Sequence, residues 1–280
     1  MGNSLMLTDA ILAERFRLLR DRSALFWGFC FAPLAGFVLS IGGDLFLRNV
    51  IRQPMPGMSV ALLDQVIKAL ADGCSTFSAL FLMIGAAAVL AGDYRGETWR
   101  LLTPRNTRPN LLLAKLLVVG EAIFWNLLLT AVLSALATII GSAIGRKALI
   151  VTAMDRTVFD AIGVLAITWL EAMTLAALAA CVGVLSRSTM GVVIACLGAR
   201  FVETVLSTSL RLMDQGKVTG KLLAIPVFDA DLLRGALLDP AQLGPAASSA
   251  GPALAALAAW IVALSAGAVF LFQRQDLTRE

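Results

Sequence analysis

The sequence predicts an all-α, polytopic membrane protein: six transmembrane helices, preceded by an N-terminal interfacial helix and carrying a helical connection on the cytoplasmic side. Composition is the first reason. Of 280 residues, 59% are apolar and only 15% charged, and the mean hydropathy is +0.84, whereas water-soluble chains carry about a quarter charged residues. A soluble fold of this make-up would have to bury nearly every helix on all sides. The second reason is a set of long apolar runs between Ala24 and Phe272. The third is that none of them alternates with period two, which argues against a membrane β-barrel.

The runs are drawn at residues 24–42, 73–91, 116–140, 161–185, 189–210 and 252–272, within a single transmembrane domain covering 1–280. Each approaches or exceeds the ~20 residues that a helix needs to cross a ~30 Å hydrocarbon core. The fifth is the least regular, because Arg200 and Glu203 interrupt it. One crossing fewer would put the C-terminus on the other side.

Before the first run lies a leader containing Glu14, Arg15, Arg17, Arg20, Asp21 and Arg22. That charge, the length of the run and the lack of a small-x-small site followed by a soluble domain argue for a retained anchor, not a cleaved signal. Leu7, Ile11, Leu12, Phe16, Leu18 and Leu19 are set among the charges, a pattern for a helix lying in the membrane interface. A basic leader ahead of a retained anchor places the N-terminus in the cytoplasm. Six crossings return the C-terminus there, in a cell inner (plasma) membrane.

The positive-inside rule acts through short segments near helix ends. The leader meets it, as does the connection 92–115 with Arg95, Arg100, Arg105, Arg108 and Lys115; most charges assigned outside are diluted through the long stretches 43–72 and 208–251. Arg146 and Lys147, on the outer side in this arrangement, run against it. The net charge of +4 follows from that distribution, and no nucleic-acid partner is expected, because zinc spacings, Cys-x-x-Cys pairs and aromatic-basic interleaving are all missing. Cys30, Cys181 and Cys196 fall within runs and Cys74 beside one, where apolar packing is the expected role. Histidine is absent, which removes the commonest metal ligand and the usual general base. No catalytic residue, metal or cofactor is expected in this chain.

The connection at 91–115, AGDYRGETWRLLTPRNTRPNLLLAK, sets Asp93, Arg95, Glu97, Arg100, Arg105, Arg108 and Lys115 among Trp99 and five or so leucines, a composition for a short amphipathic helix. Pro104 and Pro109 confine regular helix to short pieces, so the expectation is helix, turn, then re-entry into the third span. Another protein would find a rigid charged protrusion to grip there; the plainer alternative is a basic membrane-surface loop.

The order Asp93, Glu97, Thr98, Leu101–Leu102, Pro104, Arg108, Leu111–Leu113 and Lys115 resembles the cytoplasmic signature of ABC-2 type transporter permeases, integral membrane subunits of ATP-binding cassette transporters. In that family an acidic stretch and a Gly-Thr pair precede a Leu-Leu run, a Pro, a Ser-Arg pair and a Leu-rich run closing on Gly-Lys. Here Glu97 separates Gly96 from Thr98, Thr107–Arg108 stands in place of Ser-Arg, and Ala114–Lys115 in place of Gly-Lys. The resemblance covers nearly the whole chain in its order of elements. It implies that the connection is a coupling helix that docks into a cleft of a cytoplasmic ATPase subunit, with Asp93, Arg95, Glu97, Thr98, Trp99, Arg100, Pro104, Arg105, Arg108 and Lys115 as coupling residues. The same resemblance implies that ATP and Mg are bound by that partner.

No G-x-x-x-x-G-K-[ST] phosphate loop occurs, since Gly216–Lys217 and Gly220–Lys221 lack both the spacing and the following hydroxyl. The chain is therefore not expected to be an enzyme, and a separate ABC-type ATPase subunit is expected to supply the energy. A dimeric ATPase calls for two membrane halves, either a second copy of this permease or a related one.

The stretch 208–251 is too long for a hairpin. Lys221–Leu238 mixes apolar residues with Asp229, Asp231 and Arg234 and reads as an element in the outer interface, broken or re-entrant at Pro226. Residues 240–252 read as a mobile approach to the last span, and Val60–Leu70 as a second surface helix.

Glu121, Asn126, Glu171, Arg200 and Glu203 are the polar residues within spans that need an account, because a charge at the bilayer centre costs about 3 kcal/mol or more. Glu171 has three readings: a protonated acid, a partner for Arg200, or part of a transport path. Arg200 and Glu203 stand three apart and can pair with each other, either lining the path or locking the bundle. Glu121 lies near enough to Lys115 to reach the surface in a local structural role, and Asn126 can bridge helices. Small-residue faces at Ala86–Ala88, Ala176–Ala177 and Ala179–Ala180 imply close packing, within the chain or across a dimer.

The expected function is the membrane-spanning permease subunit of an ATP-driven exporter of a lipid, glycan, peptide or other amphiphile. Two other classes stay open: an ion-gradient-driven secondary transporter, which would show an internal repeat and ionisable groups at midplane, and a non-transporting membrane scaffold or sensor subunit.

Overall fold

Six helices in the computed structural model are long and apolar enough to cross a membrane: Arg22–Phe46, Thr76–Tyr94, Arg108–Gly145, Val158–Ser186, Thr189–Met213 and Pro240–Arg274. They are called the first to sixth spans below. The structure describes residues 2–46, 49, 59–95, 107–153, 156–213 and 218–275, with the side chains of 2–6 and 95 excepted. Each predicted run lies largely within one of these helices, and the fifth is continuous through Arg200 and Glu203.

The third span departs furthest from its expected bounds. It runs unbroken for 38 residues, about 57 Å at the rise of an α-helix, so it overshoots a bilayer core at both ends. Pro109 does not interrupt it, contrary to expectation. The proline sits in the first turn of the helix, where its missing N–H would have had no intrahelical partner.

The leader forms a helix, Gly2–Arg20, that ends where the Asp21 side chain accepts from the Ala24 N–H at 3.0 Å and caps the first span. Its Ala10, Glu14 and Leu18 are buried, while Leu12, Phe16 and Leu19 are exposed. Those two stripes lie on opposite faces of a helix, one against the bundle and one turned away from it.

The first span contains a π turn over Phe26–Cys30, a geometry that disturbs the i to i−4 ladder. Asn126 of the third span donates its Nδ2 to the Phe29 carbonyl at 2.5 Å, the interhelical bond expected of it. In the same turn a Cβ on Gly28 would collide with the Gly85 backbone of the second span, so the two helices cross at glycine contact. Ala86, Ala87, Ala176, Ala177, Ala179 and Ala180 are buried in the core of this one chain, so these small faces serve packing within the protomer.

For convenience, the leader end is the end of the bundle holding residues 2–22, 94, 108 and 274; the opposite end is the far end. There the expected surface helix appears as Leu62–Ala71, and the otherwise helical chain adds a short parallel pair, Ser59–Ala61 on Ala148–Ile150. The third and fourth spans close on Arg146 and Arg187, both left-handed at φ 50° and 53°, a position that usually takes glycine. Lys147 lies 3.2 Å from Asp44 at the end of the first span, so this awkward cation has a local anion.

Pro226–Leu238 is the element that most changes the reading of the far end. Pro226 occupies its first turn, and Val227, Phe228, Ala230, Leu232 and Leu233 are buried against the fourth, fifth and sixth spans. It is a helix held inside the bundle, not one lying along the outer interface, and Pro226 starts it, as the broken or re-entrant reading expected. Arg156 donates to the Leu238 carbonyl and pairs with Asp239 at 2.9 Å, clamping the C-terminal end, where the helix dipole favours a cation. Residues 240–249 are short helical turns continuous with the sixth span, not the irregular approach expected.

Candidate functional site

Glu171 lies in the interior of the fourth span and is fully buried. Two guanidinium groups reach it. Arg200 of the fifth span places Nη2 2.5 Å from Oε1, and Arg234 of the inserted helix donates Nη2 to Oε2. Arg200 also donates to the Cys74 carbonyl at 2.7 Å, and Arg234 to Thr168 Oγ1 at 3.1 Å. Thr168 and Glu171 are one turn apart and therefore share a face of their helix.

The pairing extends in both directions. Glu203 lies 4.0 Å from Arg200, Asp231 3.2 Å from Arg234, and Arg211 3.5 Å from Asp231. Charge alternates along the ladder Glu203, Arg200, Glu171, Arg234, Asp231, Arg211. Each buried ion thereby has an opposite charge beside it, which is what a low-dielectric interior demands. Arg200 pairs more closely with Glu171 than with Glu203. Arg234 was missed by sequence reasoning, having been assigned to the outer surface. One signal pointed to it: the spans carry Glu171 and Glu203 against Arg200 alone at that depth, a deficit of one cation.

Cys74, in the turn before the second span, supplies only its carbonyl. Burial, with Glu171 nearby, pushes its thiol up to about 12, leaving it without nucleophilic character.

Asp229 is the exception to this pairing. It is fully buried in the first turn of the inserted helix, and neither carboxylate oxygen has a hydrogen-bond partner among the described residues. Burial raises its carboxyl to about 7, although its place in the first turn is the end of a helix that favours an anion.

At the leader end, Lys115 is almost completely buried. Its ammonium lies 2.7 Å from Asp93, 2.9 Å from Glu14 and 3.0 Å from the Val89 carbonyl; Arg17 sits 3.0 Å from Glu14 and 3.7 Å from Asp93. One lysine thus ties the leader, the second span and the third span together. Arg108 sends Nη1 to the carbonyls of Phe272, Gln273 and Gln275, at 3.3, 3.1 and 2.7 Å. These carbonyls lie in the last turn of the sixth span and its cap, where main-chain acceptors lack full intrahelical pairing. Tyr94 donates to Gln275 Oε1 at 2.8 Å, and Gln275 donates to the Val184 carbonyl at 3.1 Å.

The sequence grouped Asp93, Arg108 and Lys115 as surface coupling residues. The structure brings all three inward, where they fasten the two ends of the connection to the bundle. Glu97, Thr98, Trp99, Arg100, Pro104 and Arg105 lie outside the described residues, and Arg95 is described by its backbone alone. Glu121 pairs with Arg15 of the leader at 2.6 Å. Among the described residues, no three Cys, Asp or Glu side chains converge in a way that would hold a metal. No family model matches the chain, and a search of curated proteins finds no match either.

Two outcomes follow from these environments. Lys115→Met leaves Glu14 and Asp93 with only the partly exposed Arg17 as a counter-charge, and thermal unfolding in detergent should show a loss of up to about 3–5 kcal/mol; a change within ±0.5 kcal/mol contradicts the assignment. For Asp229 the folded value lies above the ordinary carboxylate value, so the stabilisation from its proton is complete below about pH 4 and is lost as pH rises through about 7. Asp229→Asn should therefore raise the unfolding midpoint most at pH 8, by less at pH 5, and hardly at all below about pH 4. The ceiling on the effect is about 4 kcal/mol.

Proposed function

We propose that this chain is the membrane-spanning permease subunit of an ATP-driven ABC transporter, an exporter of an amphiphile such as a lipid, glycan or peptide. The observation that carries the reading is the fastening of the connection between the second and third spans. Lys115 and Asp93 hold one side of it to the leader, and Arg108, Tyr94 and Gln275 hold the other to the fourth and sixth spans. A push that a partner applies to the connection reaches the bundle through these fastened ends. It would be delivered to the leader and to four spans together.

In this mechanism the chain makes and breaks no bonds. A cytoplasmic ATPase subunit holds ATP and Mg, and its closure shifts the permease between an inward-accessible and an outward-open state. Two permease halves, either two copies or this chain with a relative, face the two ATPase subunits in the inner membrane, with both termini cytoplasmic. The charge ladder keeps the inserted helix seated on the fourth and fifth spans in the resting state, and moving that helix opens the far side.

A secondary transporter driven by an ion gradient is favoured by one observation, the buried and unpartnered Asp229, since a carboxyl in that condition is a ready proton carrier. The two readings separate in one experiment. The chain is co-expressed with ABC-type ATPase subunits from the same genome, purified through a tag on the permease, and assayed for ATP hydrolysis in liposomes without an ion gradient. The expected result is a stable complex whose hydrolysis falls about tenfold, a coupling loss of about 1.4 kcal/mol, in a variant with Glu97→Lys and Arg100→Glu. Absence of a complex, or unchanged complex and turnover in the variant, would falsify the coupling role.

A further inference from the structure

A groove of about 440 Å³ opens between the leader helix, the first span and the third span. Leu18, Leu25, Phe29, Val118, Ala122 and Leu129 make its walls, and Arg15, Glu121 and Trp125 also line it. Val118, Glu121, Ala122, Trp125 and Leu129 recur at helical spacing, so one face of the third span forms one wall. The leader closes the opposite wall with Arg15, Leu18 and Leu19, while Leu12 and Phe16 are exposed outside the groove.

The charged pair in the groove is only partly satisfied. Arg15 uses Nε to reach Glu121 Oε2 at 2.6 Å, with the two side chains 48% and 35% exposed. Among the described residues, neither terminal nitrogen of Arg15 and not the second oxygen of Glu121 has another partner. The Nε bond fixes the plane of the guanidinium and leaves its outer donors in the fork geometry that suits a phosphate. The free carboxylate oxygen beside it suits an ammonium donor. Because the pair itself is neutral, a headgroup carrying both charges matches it better than an anionic one.

We propose that this groove is a binding site for a zwitterionic aminophospholipid: one acyl chain lies along the apolar walls, the phosphate is held by Arg15 and the primary ammonium by Glu121. Trp125, exposed four residues beyond Glu121, flanks the chain below the headgroup, where an amphipathic ring is at home. The site depends on the membrane assignment and is independent of the ATP-driven reading, so either stands if the other falls.

The test uses Trp125 as reporter in a chain whose other tryptophans are replaced by phenylalanine. The protein is reconstituted in phosphatidylcholine vesicles doped with chain-brominated phosphatidylethanolamine, phosphatidylglycerol or phosphatidylcholine. Brominated phosphatidylethanolamine should reach half-maximal quenching at a roughly fivefold lower mole fraction than phosphatidylcholine, as for one exposed ion pair. Glu121→Gln should abolish that preference while keeping quenching by both lipids. Ala122→Phe, which fills the groove, should weaken quenching by all three. Equal quenching by the three lipids means ordinary annular contact, and preference for phosphatidylglycerol means an anion site; either result overturns the proposal. As a check that needs no tryptophan replacement, the native chain is incubated in mixed micelles holding the three lipids in equal amounts, then weighed intact by mass spectrometry. It should retain phosphatidylethanolamine, and the Glu121→Gln chain should not.

Discussion

A carboxylate in the interior of an apolar bundle is tolerable only with its charge matched, and at Glu171 two guanidinium groups from separate elements supply the match. The chain's far half is arranged around that requirement. Arg200 fixes the rotation of the fifth span, because its side chain must point at the fourth. Arg234 fixes the depth of the inserted helix, because that helix has to descend far enough for its guanidinium to reach Glu171 and Thr168. Pro226 starts the helix, Arg156 clamps its end, and apolar contacts with the sixth span fill the remaining surface. Removing one member of such a set leaves its buried neighbours with one counterion fewer, a cost that the intact set does not carry.

The leader end solves a comparable problem with different chemistry. Lys115 lies at the foot of an overlong third helix, and its ammonium gathers Asp93 and Glu14 from two neighbours. Arg108 caps the carbonyl end of the sixth span a few residues away. These are inward-facing ties, and they turn the chain entering and leaving the connection into fixed posts.

Much of the architecture was legible in the sequence because hydropathy over twenty or so residues is a local property. Span positions, the leader and the surface helix after the first span all followed from windows of adjacent residues. What was not legible depended on partners distant in sequence. Pro109 reads as a break until the helix is seen to begin there. Arg234 reads as a surface cation until a helix folds it 63 positions back onto Glu171. Arg108 reads as exposed because its neighbours are polar, and Lys115 because it closes a charged connection, yet their partners sit at the end of the last span and on the leader and second span. The left-handed ends at Arg146 and Arg187 carry no glycine to announce them. Glu171 and Arg200 were identified from depth alone, since a charge deep in an apolar run signals a partner without saying which.

Glu171 and Arg234 act as one unit that seats the inserted helix in the bundle. A double-mutant cycle on unfolding in detergent, built from Glu171→Gln, Arg234→Met and the pair, reads that interaction. The expected coupling between the two substitutions is about 1–3 kcal/mol, with the double variant more stable than the sum of the singles implies. Additive losses within about 0.5 kcal/mol would contradict it, because the two side chains would then be stabilised by separate neighbours and the inserted helix would owe its depth to apolar packing alone.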